Sequence, residues 1–284
     1  MNINWLTSLW RPRIKETTKS NPNTQSNLWD KCPKCQEIEH HKNWRNNLYV
    51  CPKCKYHKAI SASSRFDIIF DKHTIIELPK TKRDPLQFKD RKKYSDRLLE
   101  LETANLHEAI ALAKGTIDGQ NAIVTAMDFG FIGGSMGMFV GQAIVTACNL
   151  AISTNTPLIC FAESGGARMQ EGIYSLMQMP RTVLAVEMLK TRAIPFIVVL
   201  TNPCMGGVLA SFASLGDITL AEPNATIGFS GRRVIESTIR QTLPEDFQTS
   251  HFQYNCGFVD QILERAELKH KLGSLLKIIN QGKI

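Results

Sequence analysis

Paired glycines and clustered cysteines are the residues of this chain whose types and spacing could do chemistry. The segment Glu163-Ser-Gly-Gly-Ala-Arg-Met-Gln-Glu-Gly172 follows an apolar run at 157–162, a buried strand by its pattern, and holds no His, no Cys and no metal-ligating pair. A strand that runs into Gly165-Gly166 and then a helix leaves bare backbone N–H groups, where an anion or a developing oxyanion can be held. Gly206-Gly207 repeat the arrangement after a second apolar run at 195–200. Donors at two helix starts suit a reaction that develops negative charge on a carbonyl oxygen, such as enolate formation from a thioester. Close packing of helix on strand also selects glycine, so the residues alone leave both readings open. Arg168, expected in the first turn of a helix, opposes the helix dipole, and pairing with Glu171 or Glu163 would account for it.

The cysteines fall into two groups. Cys32-Pro-Lys-Cys35 and Cys51-Pro-Lys-Cys54 are separated by fifteen residues, the spacing of a four-thiolate zinc site. Each pair forms a knuckle that turns two thiolates to one side of an ion, and two knuckles close a tetrahedral shell with no position left for water. Zinc there would be structural. Cys148, Cys160, Cys204 and Cys256 lie in apolar or glycine-rich surroundings and read as small packing residues. Cys204 stands apart because it immediately precedes Met205-Gly206-Gly207.

Two competing chemistries can be weighed on the same residues. Gly133-Gly-Ser135-Met-Gly137 matches the nucleophile elbow of serine hydrolases, which would make the chain a thioester hydrolase. That reading needs a later His, and only His251 and His270 follow, both in polar segments. The second alternative is a zinc-ribbon nucleic-acid-binding protein. Residues 1–60 carry 11 Lys/Arg against 4 Asp/Glu, so most of the formal +8 charge sits in the first fifth of the chain, with Lys34 and Lys53 inside the knuckles. No phosphate-binding loop and no dinucleotide fingerprint occurs.

The elements that must position these residues read as an α/β body behind a small module. Residues 1–27 look like a flexible lead, 28–58 like the zinc ribbon, and 59–284 like the main domain. Within it, 61–114 reads as mostly helical and polar, with 94–112 periodic enough for one helix. From near Gly115 a strand, glycine pair and helix recur three times: strands at 121–127 and 129–132 before a helix at 136–152, the run at 157–162 before Gly165, and the run at 195–200 before a helix at 208–215. Short strands at 217–220 and 225–229 and a closing helical region broken near Pro244 complete the pattern. Two long uncharged stretches, 129–162 and 193–216, are broken by Gly, Asn, Thr and Pro and suit buried strand-turn-helix units better than membrane spans. No signal peptide is visible, so a cytoplasmic location and reduced cysteines are expected.

Taken together, Cys32 to Cys54, Gly133-Gly-Ser-Met-Gly137, Ser164-Gly-Gly-Ala-Arg-Met-Gln-Glu171, Ser175-Leu-Met-Gln-Met179, Gly206-Gly-Val208, Ala221-Glu-Pro223, Ile227-Gly-Phe229 and Arg233-Val-Ile-Glu236 resemble the beta subunit of the bacterial-type acetyl-CoA carboxylase carboxyltransferase. The resemblance implies a crotonase-like spiral of ββα units preceded by a four-Cys zinc ribbon. It implies a transferase, active only with an alpha subunit in an α2β2 assembly, that moves a carboxyl group from carboxybiotin to acetyl-CoA and forms malonyl-CoA for fatty-acid synthesis. The carboxybiotin would arrive on a separate biotin carboxyl carrier protein, charged by a separate biotin carboxylase, since the chain has neither a biotinylation motif nor an ATP-grasp signature. Family membership also assigns the oxyanion role to Gly165, Gly166, Gly206 and Gly207. Two positions depart from the family pattern: Arg232 stands where a Pro is usual, and Cys204-Met205 replace a pair of small polar residues.

Overall fold

The computed structural model describes residues 28–281. The first elements, β1 (Trp29–Lys31), β2 (Ile38–His40) and α1 (His41–Asn46), build the cysteine module. Its two knuckles share one backbone design. The N–H of Cys32 donates to Glu37 O at 2.8 Å and the N–H of Cys51 to Tyr56 O at 2.9 Å. Gln36 and Lys55 take left-handed φ values of 63° and 58° to close the turns. Trp44 is buried against Cys32 and Cys51, so the module has a core of its own, small as it is.

The body begins with α2 (Ala62–Ile69), β3 (Lys72–Ile75) and α3 (Tyr94–Thr103), and continues through β4 (Ile110–Ile117), β5 (Gln120–Met127), α4 (Met138–Thr154), β6 (Leu158–Ser164), α5 (Gly172–Leu176) and α6 (Gln178–Thr191). Then come β7 (Phe196–Met205), α7 (Gly206–Leu209), β8 (Ile218–Ala221), β9 (Ile227–Gly228), α8 (Arg232–Ile239), α9 (Ser250–Asn255), β10 (Gln261–Ile262) and α10 (Arg265–Gln281). One sheet carries them in the order β10-β8-β7-β6-β5-β4-β3, with β9 alongside β7. The pairs β3–β4 and β4–β5 are antiparallel, and β5 to β10 run parallel.

Both faces of the parallel part are covered, which is why its strands read as unbroken apolar runs rather than alternating ones. On β6 the odd and even positions serve different cores. Leu158, Cys160 and Ala162 face α4 and α6, and Ile159 and Phe161 face α2 and α10. The fold is the α/β spiral expected, with strand and helix units stepping along the sheet.

Several local expectations fail, each where tertiary pairing overrides local pattern. The helix expected over 94–112 stops at Thr103, followed by left-handed Asn105, because Ile110 to Leu112 are claimed by β4, which pairs with β5 along its whole length. Residues 129–132 form a turn instead of a strand. Gly165-Gly166 lie in a loop and do not open a helix; the next α-helix starts at Gly172. The helix expected over 208–215 is a four-residue turn followed by a short 3-10 turn at Phe212–Ser214. Cys256 is exposed at the end of α9, not packed in the core, because a six-residue surface helix buries only Ser250.

The module and body are joined by Glu222, which follows β8. Its carboxylate accepts from Arg65 Nη1 of α2 at 2.6 Å and from Arg265 Nε and Nη2 of α10 at 2.8 and 2.7 Å. His57 of the module lies 3.4 Å from Glu222 and 2.7 Å from Glu264. Arg265 also donates to Leu48 O at 3.0 Å. Burial works against the charge of Glu222, but Arg65 and Arg265 outweigh it and hold the carboxyl well below the usual carboxylate range. Stability from such a group is present at neutral pH and lost as pH falls below the ordinary carboxylate value toward the depressed one. Glu222→Gln should therefore destabilise the chain at neutral pH by about 3–5 kcal/mol, the range for a buried pair stripped of one partner. The difference from wild type should shrink in strong acid, which urea unfolding across pH would check.

Candidate functional site

The C-terminal ends of β5, β6 and β7 lie side by side, and each runs into a glycine pair. The N–H of Gly165 donates to Gly133 O at 2.8 Å, that of Met136 to Gly166 O at 2.9 Å, and that of Arg168 to Met136 O at 2.9 Å. These bonds fasten the loop after β5 to the loop after β6. The loop after β6 then meets the start of α7: a Cβ placed on Gly206 would lie 3.1 Å from Gly166 Cα. Gly166 and Gly206 have φ of 122° and 57°, values that favour glycine. The four glycines singled out in the sequence are thus brought into one crest, formed by backbone against backbone.

Their amide hydrogens are not equivalent. Gly165 donates to Gly133 O, Gly166 to Ser164 Oγ at 3.0 Å, and Gly206 to Phe229 O at 3.1 Å. Gly207, the second residue of α7, has no partner for its N–H among the described residues. Its Cα faces Met179 and Ala167, with a Cβ there 3.2 Å from Met179 Sδ. The free donor of the crest is therefore Gly207.

Arg168 supports the crest from beneath. It is fully buried and donates from Nη2 to Ser135 O at 2.8 Å and to Glu108 at 3.2 Å, from Nη1 to Glu171 at 3.1 Å and Tyr94 Oη at 3.3 Å, and from Nε to Ser135 Oγ at 3.2 Å. Burial disfavours its charge, but Glu108, Tyr94 and Glu171 more than compensate, so it stays protonated. Glu171 also accepts from the N–H of Met138 at 2.6 Å, at the start of α4. Glu171 is the partner the sequence allowed. Glu108 and Tyr94, 60 and 74 residues away, were not foreseeable because no local pattern points across that distance.

Ser135, the serine of the elbow motif, is held by Arg168 and not by an imidazole. His251 is exposed on α9, and His270 lies on α10 facing Asp118 at 3.5 Å. No base stands ready for Ser135 among the described residues. Cys204 is fully buried, and burial pushes its thiol up. Burial likewise pushes Cys148 and Cys160 up to about 12, which suits packing rather than reactivity.

The four module cysteines converge, with all Sγ atoms within 4.8 Å of one another. Cys32 and Cys54 are 3.7 Å apart and Cys35 and Cys51 3.6 Å. Tetrahedral bonds of ~2.3 Å to a central ion set sulfur separations of about 3.8 Å. The cluster could hold a metal ion. Of the two knuckle lysines, Lys53 is engaged by Glu37 at 2.6 Å, which reduces the cationic surface available to a phosphate backbone. Among the described residues no helix is long and apolar enough to cross a membrane.

Comparison with known proteins gives the family and the fold. The carboxyl transferase domain family matches residues 82–280. The acetyl-coenzyme A carboxylase carboxyl transferase subunit beta of Brucella anthropi is 49% identical over 282 residues, covering 98% of this chain and 93% of the relative. That of Granulibacter bethesdensis is 48% identical, covering 99% and 92%. Among solved structures, the transcarboxylase 12S hexamer with methylmalonyl-coenzyme A bound aligns with a TM-score of 0.64 at 25% identity, over 77% of this chain and 41% of that one. The Pseudomonas malonate decarboxylase MdcD–MdcE heterodimer shares the fold at a TM-score of 0.58 and 24% identity, over 78% and 86%. By 48–49% identity over nearly its whole length and by the family match over residues 82–280, the chain belongs to the carboxyl transferase family, as an acetyl-CoA carboxylase carboxyl transferase beta subunit.

Proposed function

We propose that the chain forms one half of a carboxyltransferase that moves the carboxyl group from carboxybiotin, carried on a separate protein, to the methyl carbon of acetyl-CoA, giving malonyl-CoA. The observation that carries this reading is the unpartnered N–H of Gly207, a buried position at the start of α7 where Gly206 and Gly166 bring backbone against backbone. Removing a proton from the methyl group of a thioester places negative charge on its carbonyl oxygen, and a fixed backbone donor stabilises that charge with no reorganisation. Gly165, Gly166 and Gly206 keep the approach open and fix the donor's direction. Ser135 and Arg168 hold the loops and make no covalent bond to substrate.

The surface next to the crest supports a second subunit. Met169, Ile173, Tyr174, Leu176 and Met177 are exposed in one stretch, and Leu184 and Met188 extend it along α6. A run of large apolar side chains of this kind marks a protein interface. An alpha subunit covering it would bring the second wall of the site, with the assembly α2β2. Expression with and without that subunit is the direct test: malonyl-CoA formation should be strong in the pair and near zero for the isolated chain. Thioester hydrolysis by the isolated chain that disappears in Ser135→Ala would overturn the reading in favour of the hydrolase.

Cys32, Cys35, Cys51 and Cys54 would hold one zinc ion, which supplies structure and no catalytic water, because four thiolates complete the shell. Such sites contribute on the order of 10 kcal/mol or more to folding their module. Freshly purified protein should contain one zinc per chain, and Cys51→Ser should lose it and unfold the ribbon while most of the body stays folded, as metal analysis and circular dichroism would show.

The donor role of Gly207 makes a separate prediction. A valine there would crowd Met179 and shield the N–H from an incoming carbonyl. Loss of one aimed donor costs ~100 to 1000-fold in turnover. Gly207→Val should lower malonyl-CoA formation by that factor with zinc content and subunit assembly intact. A variant that fails to assemble would show instead that Gly207 is needed for packing.

A further inference from the structure

Glu163 is the penultimate residue of β6, two positions before Gly165, and only 2% of it is exposed. By strand alternation it lies on the same face as Ile159 and Phe161, toward α2, α10 and the ribbon. Its Oε1 has no hydrogen-bond partner. Its Oε2 meets only Thr201 Oγ1, at 3.4 Å, and that hydroxyl also reaches Ala162 O at 3.2 Å. Arg65 and Arg265 are the nearby cations, and both are committed to Glu222 at 2.6 to 2.8 Å, with Arg265 also bound to Leu48 O. The titratable groups around Glu163 are Arg65 on α2, Arg265 on α10, Glu222 after β8, Cys204 on β7 and Tyr56 of the ribbon, with His57 behind Glu222.

Two buried carboxyl groups thus share one set of donors, and the donors serve only one of them. A second anion in that place would be desolvated and unpaired, which proteins avoid by keeping the group protonated. We propose that Glu163 is a positioning residue that carries a proton in the working protein, and that this neutral carboxyl lets Tyr56 and His57 of the ribbon stay seated on Asn202, Glu222 and Glu264. Burial, opposed in part by Arg65, pushes the Glu163 carboxyl up to about 8. Above that pH an ionised Glu163 competes with Glu222 for Arg65 and Arg265, and the Arg265 bond to Leu48 that clamps the ribbon loosens with it.

In the unfolded chain Glu163 releases its proton near the ordinary carboxylate value, and in the folded chain it keeps it to about 8, so stability falls as pH rises between the two. Glu163→Gln removes the ionisation and keeps the shape. The variant should melt with wild type at about pH 4 and a few degrees above it at about pH 8 to 9. Amide exchange across the ribbon junction, residues 48–58, corrected for intrinsic rates, should accelerate in wild type as pH passes about 8 and stay flat in the variant. A variant that melts below wild type at alkaline pH, or junction exchange that accelerates alike in both, overturns the proposal. If the variant fails to fold, infrared difference spectra of wild type decide. A protonated carboxyl band present at neutral pH and lost above about pH 9 supports the proposal, and its absence at neutral pH overturns it.

Discussion

The site depends on one steric constraint: the backbone after β6 and the backbone after β7 touch at Gly166 and Gly206. A Cβ on Gly206 would come within 3.1 Å of Gly166 Cα, closer than nearly all real side-chain contacts, and both residues sit at positive φ. Neighbouring parallel strands are held ~4.8 Å apart by their ladder, so loops leaving them can meet only if neither carries a side chain toward the other. That contact aims the start of α7, and with it the Gly207 N–H, over the end of β6. The register between β6 and β7 shifts between Ala162 and Ser164, just below the contact, so that Ser164 pairs with Cys204.

Two buried charge clusters frame the crest and solve the same problem differently. Arg168 is surrounded by acceptors, and two carboxylates, a phenol and a backbone carbonyl satisfy it. Its net contribution to stability is small compared with its cost if left unpaired, so its value lies in fixing the loop at Ser135. On the other face, Glu222 is fully served by two arginines while Glu163 is left with an unpartnered oxygen. One cluster holds the β5 and β6 loops to each other. The other holds the ribbon to the end of the sheet.

The ribbon has too little apolar surface to stand by itself, with Trp44 as its one large fully buried side chain. A dock on the body compensates for that, and the four converging cysteines could add a metal ion. His57, Leu48 and Tyr56 make the dock at Glu222, Glu264, Arg265 and Asn202, so the position of the ribbon over the β8 end follows from polar contacts rather than from a shared core.

The sequence by itself determined the parts whose chemistry is local. The knuckle cysteines were legible because Cys-x-x-Cys fixes its own turn, and β5, β6 and β7 were legible because strands buried on both faces must be apolar throughout. The glycine pairs could be marked but not oriented, since local sequence does not say which N–H another loop will occupy. Only the tertiary structure decided that Gly165 faces Gly133, that Gly206 faces Phe229, and that Gly207 is left free. It also decided that Ile110 to Leu112 are strand rather than helix, through pairing with β5. The same holds for Ser135, Glu108 and Tyr94 around Arg168 and for Arg65 and Arg265 around Glu222, which come from 33 to 157 residues away. Hydrogen-bond and charge satisfaction in a closed interior is a property of the assembled space, and no periodicity along the chain encodes it.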